Sequence, residues 1–200
     1  HSLYPDNVTY ENNFGRLDTD GSWLFIGSSH DSEYVNESGA VYVYQLSNNG
    51  ETQTFHSKLY PDDFENGGYF GESISLYGDV AAIGSVGWDG GYSQNLGAVY
   101  IFRYSNNSWI QETRLSPDTS SDHNYSNNFG SCVKLYEDIL IVSQRGSGII
   151  GSGENDGGVY IYRYSGVTWN KETYLDSVNI NTSKQELYWN SNDILTIDSD

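Results

Sequence analysis

The sequence predicts an all-β chain, and three observations carry the prediction. Apolar residues make up only 36% of it while aromatics reach 15%, with 18 Tyr and 5 Trp; a core of rings and β-branched residues favours sheet over helix. The 22 Gly against 3 Pro and no Met suit many tight turns. No segment holds a 3.6-residue apolar period for three turns, whereas short apolar runs bounded by Gly, Asn and Asp recur along the chain.

The most informative run is GAVYIFRY, Gly97 to Tyr104. A strand with one wet face alternates apolar and polar residues; this run does not alternate, so both of its faces must be dry. It returns as GAVYVYQL from Gly39 and GGVYIYRY from Gly157. Other landmarks keep the same period. Phe-Gly occurs at Phe14-Gly15, Phe70-Gly71 and Phe129-Gly130, in steps of 56 and 59. The dry run starts at Val41, Val99 and Val159, in steps of 58 and 60, and Trp109 and Trp169 stand 60 apart. Leu3, Leu59, Leu115 and Leu175 close the units in steps of 56, 56 and 60, mostly within LYPD or LSPD.

The second unit shows the elements in order. A first strand runs from about Glu72 to Leu76 into a Tyr-Gly-Asp turn, and VAAIGS (Val80 to Ser85) makes the second. A Gly/Ser/Asn loop leads to the third strand, Ala98 to Tyr104, and a Ser-Asn-Asn turn to the fourth, Trp109 to Leu115, in which Ile110, Glu112 and Arg114 are expected on one face. Four strands per unit of about 58 residues match the blade of a β-propeller. Each blade packs face to face on its neighbours, so the third strand loses water on both sides and the more polar fourth strand forms the rim. A two-sheet sandwich is the alternative, and it leaves the period unexplained.

The expected architecture is thus a β-propeller of four-stranded antiparallel blades, with three complete units and partial units at both ends. Residues 1–13 read as the end of a preceding blade, 14–63, 64–120 and 121–178 as blades, and 179–200 as the start of another. The chain then reads as a window on a longer protein; the alternative is a four-bladed ring whose N-terminal strand joins the last blade. Val99, Ile101, Val159 and Ile161 are expected between sheets. Phe14, Phe70 and Phe129 are expected in equivalent buried positions, each followed by a glycine (Gly15, Gly71, Gly130) that lets backbone pass close to the ring.

The run FGESISLYGDVAAIGS followed by GAVYIFRYSNNSWIQETRLSPD resembles the FG-GAP repeat in its short form, with Ile-Gly-Ser in place of Gly-Ala-Pro. The resemblance covers nearly the whole chain in three copies, and the propeller of integrin α-subunits is a more distant relative. It implies an extracellular propeller used for binding or assembly. Integrin-type repeats bind Ca²⁺ in a D-x-D/N-x-D-G loop between the first two strands. Here the loop is Asp18-Thr19-Asp20-Gly21 in the first unit and shrinks to Tyr77-Gly78-Asp79 and Tyr136-Glu137-Asp138 in the others. Calcium takes six to eight oxygens, so plain hairpin turns are expected and no cofactor. The acidic loops at Asp89 and Glu154-Asn155-Asp156 have no cage spacing.

The formal charge of −18 argues against nucleic acid and against an anionic membrane surface. No apolar run approaches the ~20 residues of a membrane-spanning helix, so no membrane insertion is expected in this segment. No stretch reads as a signal peptide, and a secreted chain relieved of its signal would read the same. The single cysteine, Cys132, cannot form an intrachain disulfide and is expected to be a small buried residue. Gly146 to Gly151 fits G-x-G-x-x-G, but a strand and not a helix follows it, so no nucleotide is expected there. His1, His30, His56 and His123 occupy no common place in successive units, and no G-x-S-x-G elbow is present.

N-x-S/T occurs at Asn7, Asn36, Asn106, Asn124 and Asn181, all in expected loops or connections, where a glycan acceptor must lie and where Asn is also simply common. The expected function is a non-enzymatic extracellular or cell-surface repeat protein, a propeller module for adhesion or for assembly into a larger structure or fibre. Its partners would be other protein subunits or surface ligands, with N-linked glycans on some sequons. The alternative is a propeller-based lyase or hydrolase with its site on one face; such an enzyme should break the repeat with loops carrying His, Arg or Lys, and here the long loops carry Gly, Ser, Asn and Asp.

Overall fold

The computed structural model describes residues 13–47, 49–91, 95–117, 128–145 and 157–176. Among them there is no helix, and twelve strands form three four-stranded antiparallel sheets. Blade 1 comprises β1 (Phe14–Thr19), β2 (Trp23–Ser28), β3 (Ala40–Ser47) and β4 (Thr52–Leu59). Blade 2 comprises β5 (Phe70–Tyr77), β6 (Val80–Ser85), β7 (Ala98–Ser105) and β8 (Ser108–Leu115). Blade 3 comprises β9 (Phe129–Tyr136), β10 (Ile139–Gln144), β11 (Gly158–Tyr164) and β12 (Trp169–Asp176). Each sheet is a meander in chain order, as short turns between antiparallel strands require. The β7–β8 turn shows why: Asn106 and Asn107 take φ of 51° and 62°, the left-handed pair that matches the twist of a two-residue hairpin. The expected partial blades at the two ends lie outside the described residues, Asn13 apart.

The sheets stack face to face, as propeller blades do. On β7 the side chains divide strictly. Tyr100 and Phe102 join Val41, Val43, Phe25 and Phe70 in the seam with blade 1, while Val99 and Ile101 join Phe129, Leu135 and Val142 in the seam with blade 3. That division explains why GAVYIFRY does not alternate. Val99 and Ile101 are fully buried, but Val159 and Ile161, their counterparts in blade 3, are only half-buried. They occupy the face turned away from blade 2, which no described blade covers, so the expectation of burial fails there.

Phe70 and Phe129 are fully buried. Each meets the first tyrosine of its own third strand edge-on, at 5.5 Å from Tyr100 and 5.1 Å from Tyr160. Phe14 makes the same contact with Tyr42, also at 5.5 Å, yet it is half-buried, because no described blade precedes blade 1. The three positions are equivalent and their burial is not. The glycines after Phe70 and Phe129 serve the seams. Gly71 has φ +94, and a Cβ there would stand 2.8 Å from the Ala40 carbonyl and 3.2 Å from Gly27 Cα of blade 1. Gly130 repeats this against Ala98 and Gly84 of blade 2, whereas Gly15, at φ +145, has nothing within 4 Å. From the other side, a Cβ on Gly27 or Gly84 would fall 2.1 Å from the carbonyl oxygen of Gly71 or Gly130.

Side-chain bonds add to the seams: Leu76 N donates to Asp18 Oδ2 at 2.8 Å, Leu135 N donates to Ser75 Oγ at 3.0 Å, and Ser73 Oγ donates to the Gly130 carbonyl at 2.6 Å. Blade 3 departs from this design at its outward face. Register places Ser143 where Gly27 and Gly84 stand, and Lys134 where Asp18 and Ser75 stand.

Each fourth strand carries a bulge at the same place, with His56, Glu112 and Glu172 as the extra residues. The bulge overturns the expectation that Ile110, Glu112 and Arg114 share a face. Glu112 turns to Arg103 on the blade 3 side, and Arg114 turns to Trp88 and Asp63 on the blade 1 side. Arg103 is held between Glu112 and Asp79 and lies 4.9 Å from the Tyr164 ring of blade 3. Arg163 repeats the pairing with Glu172 and Asp138. Cys132, expected to be buried, is half-buried on β9.

Candidate functional site

The densest side-chain chemistry lies where the β2–β3 loop of blade 1 meets the connection from β4 to β5. Backbone bonds hold the two segments together: Gly67 N donates to the Asn36 carbonyl at 2.9 Å, Tyr69 N to Glu37 at 3.1 Å and Phe70 N to Ser38 at 3.0 Å. Asp31 is 3% exposed. Its Oδ2 accepts from Lys58 Nζ at 2.8 Å and from the Tyr42 hydroxyl at 3.2 Å. Glu33 Oε2 accepts from Lys58 Nζ at 2.6 Å and from the Tyr60 hydroxyl at 2.7 Å. The ammonium also lies 4.7 Å from the Tyr42 ring centre and 5.2 Å from that of Tyr60. Burial pulls the Lys58 pKa down, but the bonds to Asp31 and Glu33 outweigh it and hold the ammonium above the usual lysine range. The bond from Lys58, aided by Tyr60, holds Glu33 below the usual carboxylate range, and burial pushes Tyr60 up.

Blade 2 builds a variant at the same backbone place. Trp88 replaces Asp31, and both residues accept from the next strand's leading glycine, Gly97 at 2.8 Å and Gly39 at 3.0 Å. The cation becomes Arg114, stacked 4.1 Å from the Trp88 ring and bonded to Asp63, which also accepts from the Tyr100 hydroxyl at 2.8 Å. Beside it, Glu65 accepts from Asp89 N. Burial, with the Asp89 and Asp63 carboxylates nearby, pushes Glu65 up to about 7.

Above the Lys58 cluster stands an aromatic group. The Tyr34 ring is stacked on Phe64 at 5.5 Å and 22°, and meets Tyr60 edge-on at 4.6 Å. Tyr34 is 59% exposed and Phe64 39% exposed. A separate open cleft of about 500 Å³ lies at the rim between β4 residues Thr54 to Leu59 and the β7–β8 hairpin. His56 reaches from it to the Trp23 ring at 4.9 Å.

Of the sequons, Asn36 and Asn106 are exposed in turns; Asn7, Asn124 and Asn181 lie outside the described residues, as do His1, His123, Gly146 to Gly151 and the loop at Glu154. The Asp18–Gly21 turn spends its carboxylates on backbone amides: Asp20 Oδ1 accepts from both Ser22 N and Trp23 N at 2.8 Å. Among the described residues no group of three or more His, Cys, Asp or Glu is placed to hold a metal ion. Sequence reasoning missed Lys58, Asp31, Glu33, Tyr60, Tyr34 and Phe64. The shared offset of Lys58 and Arg114 from the strand-closing leucines was a visible signal for the cation, whereas Asp31 has Trp88 as its counterpart and so gave none.

The sheets, the Phe-Gly seams and the repeating spacing define a propeller-type repeat protein. A model of the FG-GAP repeat matches residues 54–102 and 109–162, just over half the chain, and the protein belongs to this family. No curated protein matches it closely enough in sequence to lend it an activity. No helix among the described residues is long and apolar enough to cross a membrane.

Proposed function

We propose that the chain is a non-enzymatic extracellular or cell-surface module, a run of blades that takes its place in a larger assembly. The observation that carries this reading is that both end faces carry incompletely covered apolar rows of the kind that the seams bury. On the outward face of blade 1, Phe14 and Leu24 lie half-buried against the buried Ile26, Tyr42 and Tyr44, with Leu17 61% exposed. Blade 3 presents Ile139, Ile141, Val159 and Ile161, all half-buried. Rows of this kind are fully buried between blades 1 and 2 and between blades 2 and 3. Further blades or other subunits cover them in the assembled protein. FG-GAP repeats are typical of extracellular and cell-surface proteins, and the exposed sequons Asn36 and Asn106 fit N-linked sugar on such a protein. Catalysis and a resident cofactor form no part of this reading.

Labelling intact source cells with a membrane-impermeant amine reagent tests the location. The full-length protein should be labelled without permeabilisation. Recovery of label only after permeabilisation, or saturable turnover of any substrate in a polysaccharide and ester panel, would overturn the reading.

A further inference from the structure

We propose that Tyr34 and Phe64 form a platform for the first sugar of a glycan on Asn36, which makes this sequon part of the loop architecture. The proposal rests on the glycoprotein reading above and adds a specific site to it.

Two cross-loop pairs keep the same register. Tyr34 stacks on Phe64, and two residues further along both loops Asn36 Nδ2 donates to Asn66 Oδ1 at 3.3 Å. Two residues of chain span at most about 7 Å, roughly one pyranose ring, so the first sugar on Asn36 is of the size that bridges to the stacked rings. The stacked rings present their surface to water, Tyr34 at 59% and Phe64 at 39% exposed. A pyranose has one face of C–H groups, and stacking it on Tyr34 removes two apolar surfaces from water together.

Ser38 is the independent observation. It is 1% exposed and its hydroxyl has no hydrogen-bond partner. The same backbone place in blade 2 is Leu96, 2% exposed, and the two residues accept from Phe70 N and Phe129 N alike. A buried hydroxyl without a partner is destabilising, so packing alone selects leucine here. The acceptor sequence Asn36-Glu37-Ser38 selects serine. The hydroxyl serves while the segment is still open, and folding then buries it. Asn106 lacks such a platform, because Tyr104, two residues before it, is engaged by Trp23 at 4.8 Å and Trp109 at 5.3 Å, and its hydroxyl donates to Asn107.

In the transfer step Asn36 Nδ2 attacks the anomeric carbon of a lipid-pyrophosphate-linked oligosaccharide. The N–C bond forms, the C–O bond to phosphate breaks, its electron pair leaves with the lipid pyrophosphate, and one Nδ2 proton is released. The second amide hydrogen remains and continues to donate to Asn66.

The test uses the full chain secreted from a eukaryotic host. Glycopeptide mass spectrometry should find Asn36 occupied. Trimming with an endoglycosidase that leaves one sugar should not change Tm, whereas complete removal should lower it by about 2–4 °C. The Tyr34→Ala variant should lose that difference and Tyr34→Phe should keep it. NMR of the trimmed protein should show ring-current-shifted protons on the Asn36 sugar. Asn36 bare while another sequon is occupied overturns this proposal and leaves the glycoprotein reading standing. All sequons bare overturns both. An occupied Asn36 whose sugar protons have solution shifts overturns the platform alone, and wild-type protein suffices for that measurement if Tyr34→Ala does not fold.

Discussion

Lys58 shows how one side chain holds a loop face together. Its ammonium is the cation within reach of both Asp31, which is buried, and Glu33. Lys58→Met leaves the Asp31 carboxylate buried without a counter-charge and should cost about 3–5 kcal/mol, measured by urea unfolding. The double variant Lys58→Met/Asp31→Leu should recover most of that loss, because an apolar pair of similar volume needs no solvation. Glu65 behaves in the opposite sense. Its folded pKa of about 7 lies above the ordinary glutamate value of 4.5, so between those pH values the native state holds the proton more tightly than the unfolded chain. Stability from this group is therefore present below about pH 4.5 and lost as pH rises through 7. Glu65→Gln, which mimics the protonated form, should raise Tm at pH 7.5 and leave it nearly unchanged at pH 5. An equal rise at both would remove Glu65 as the cause.

At the scale of strands and seams, burial decides which repeats are interchangeable. Val99→Asp places a charge in a sealed seam and should cost at least about 4 kcal/mol, unfolding blade 2. Val159→Asp occupies the same register on a half-open face and should cost less than half as much; equal losses by circular dichroism melting would mean that both faces are sealed. Gly84→Ala should cost about 3 kcal/mol, since its Cβ meets the Gly130 carbonyl and backbone must move. Much of this level was legible in the sequence. The non-alternating third strand announced two dry faces, and the second and third strands of blade 2 fall where the apolar runs lie. The fourth-strand bulge was not legible, since one extra residue such as Glu112 leaves no mark in a four-residue polar pattern. The site itself was least legible. Asp31 and Lys58 are 27 residues apart, and nothing local to either signals the other. The sequons marked Asn36, and Tyr34 stands two residues before it, but Phe64 comes from a separate loop and meets Tyr34 only in three dimensions.

For the molecule as a whole, charge and seams act against each other. A formal charge of −18 makes the stacked sheets repel, and salt screens repulsion beyond about 10 Å at 0.1 M. Raising NaCl from about 0.05 to 0.5 M should therefore raise Tm by several degrees; a fall would show that the ion pairs around Lys58, Arg103 and Arg163 outweigh the net repulsion. Ser143 has a consequence of another kind. A repeat array grows in evolution by copying a unit and inserting the copy beside its parent. After blade 1 or blade 2 such a copy finds a glycine waiting for its Phe-Gly carbonyl. After blade 3 the carbonyl would strike the Ser143 Cβ, and the amide served by Asp18 or Ser75 would face Lys134. Duplication can thus lengthen the array at its first two joints but not at the third, and the order of the blades becomes heritable information that no single blade carries.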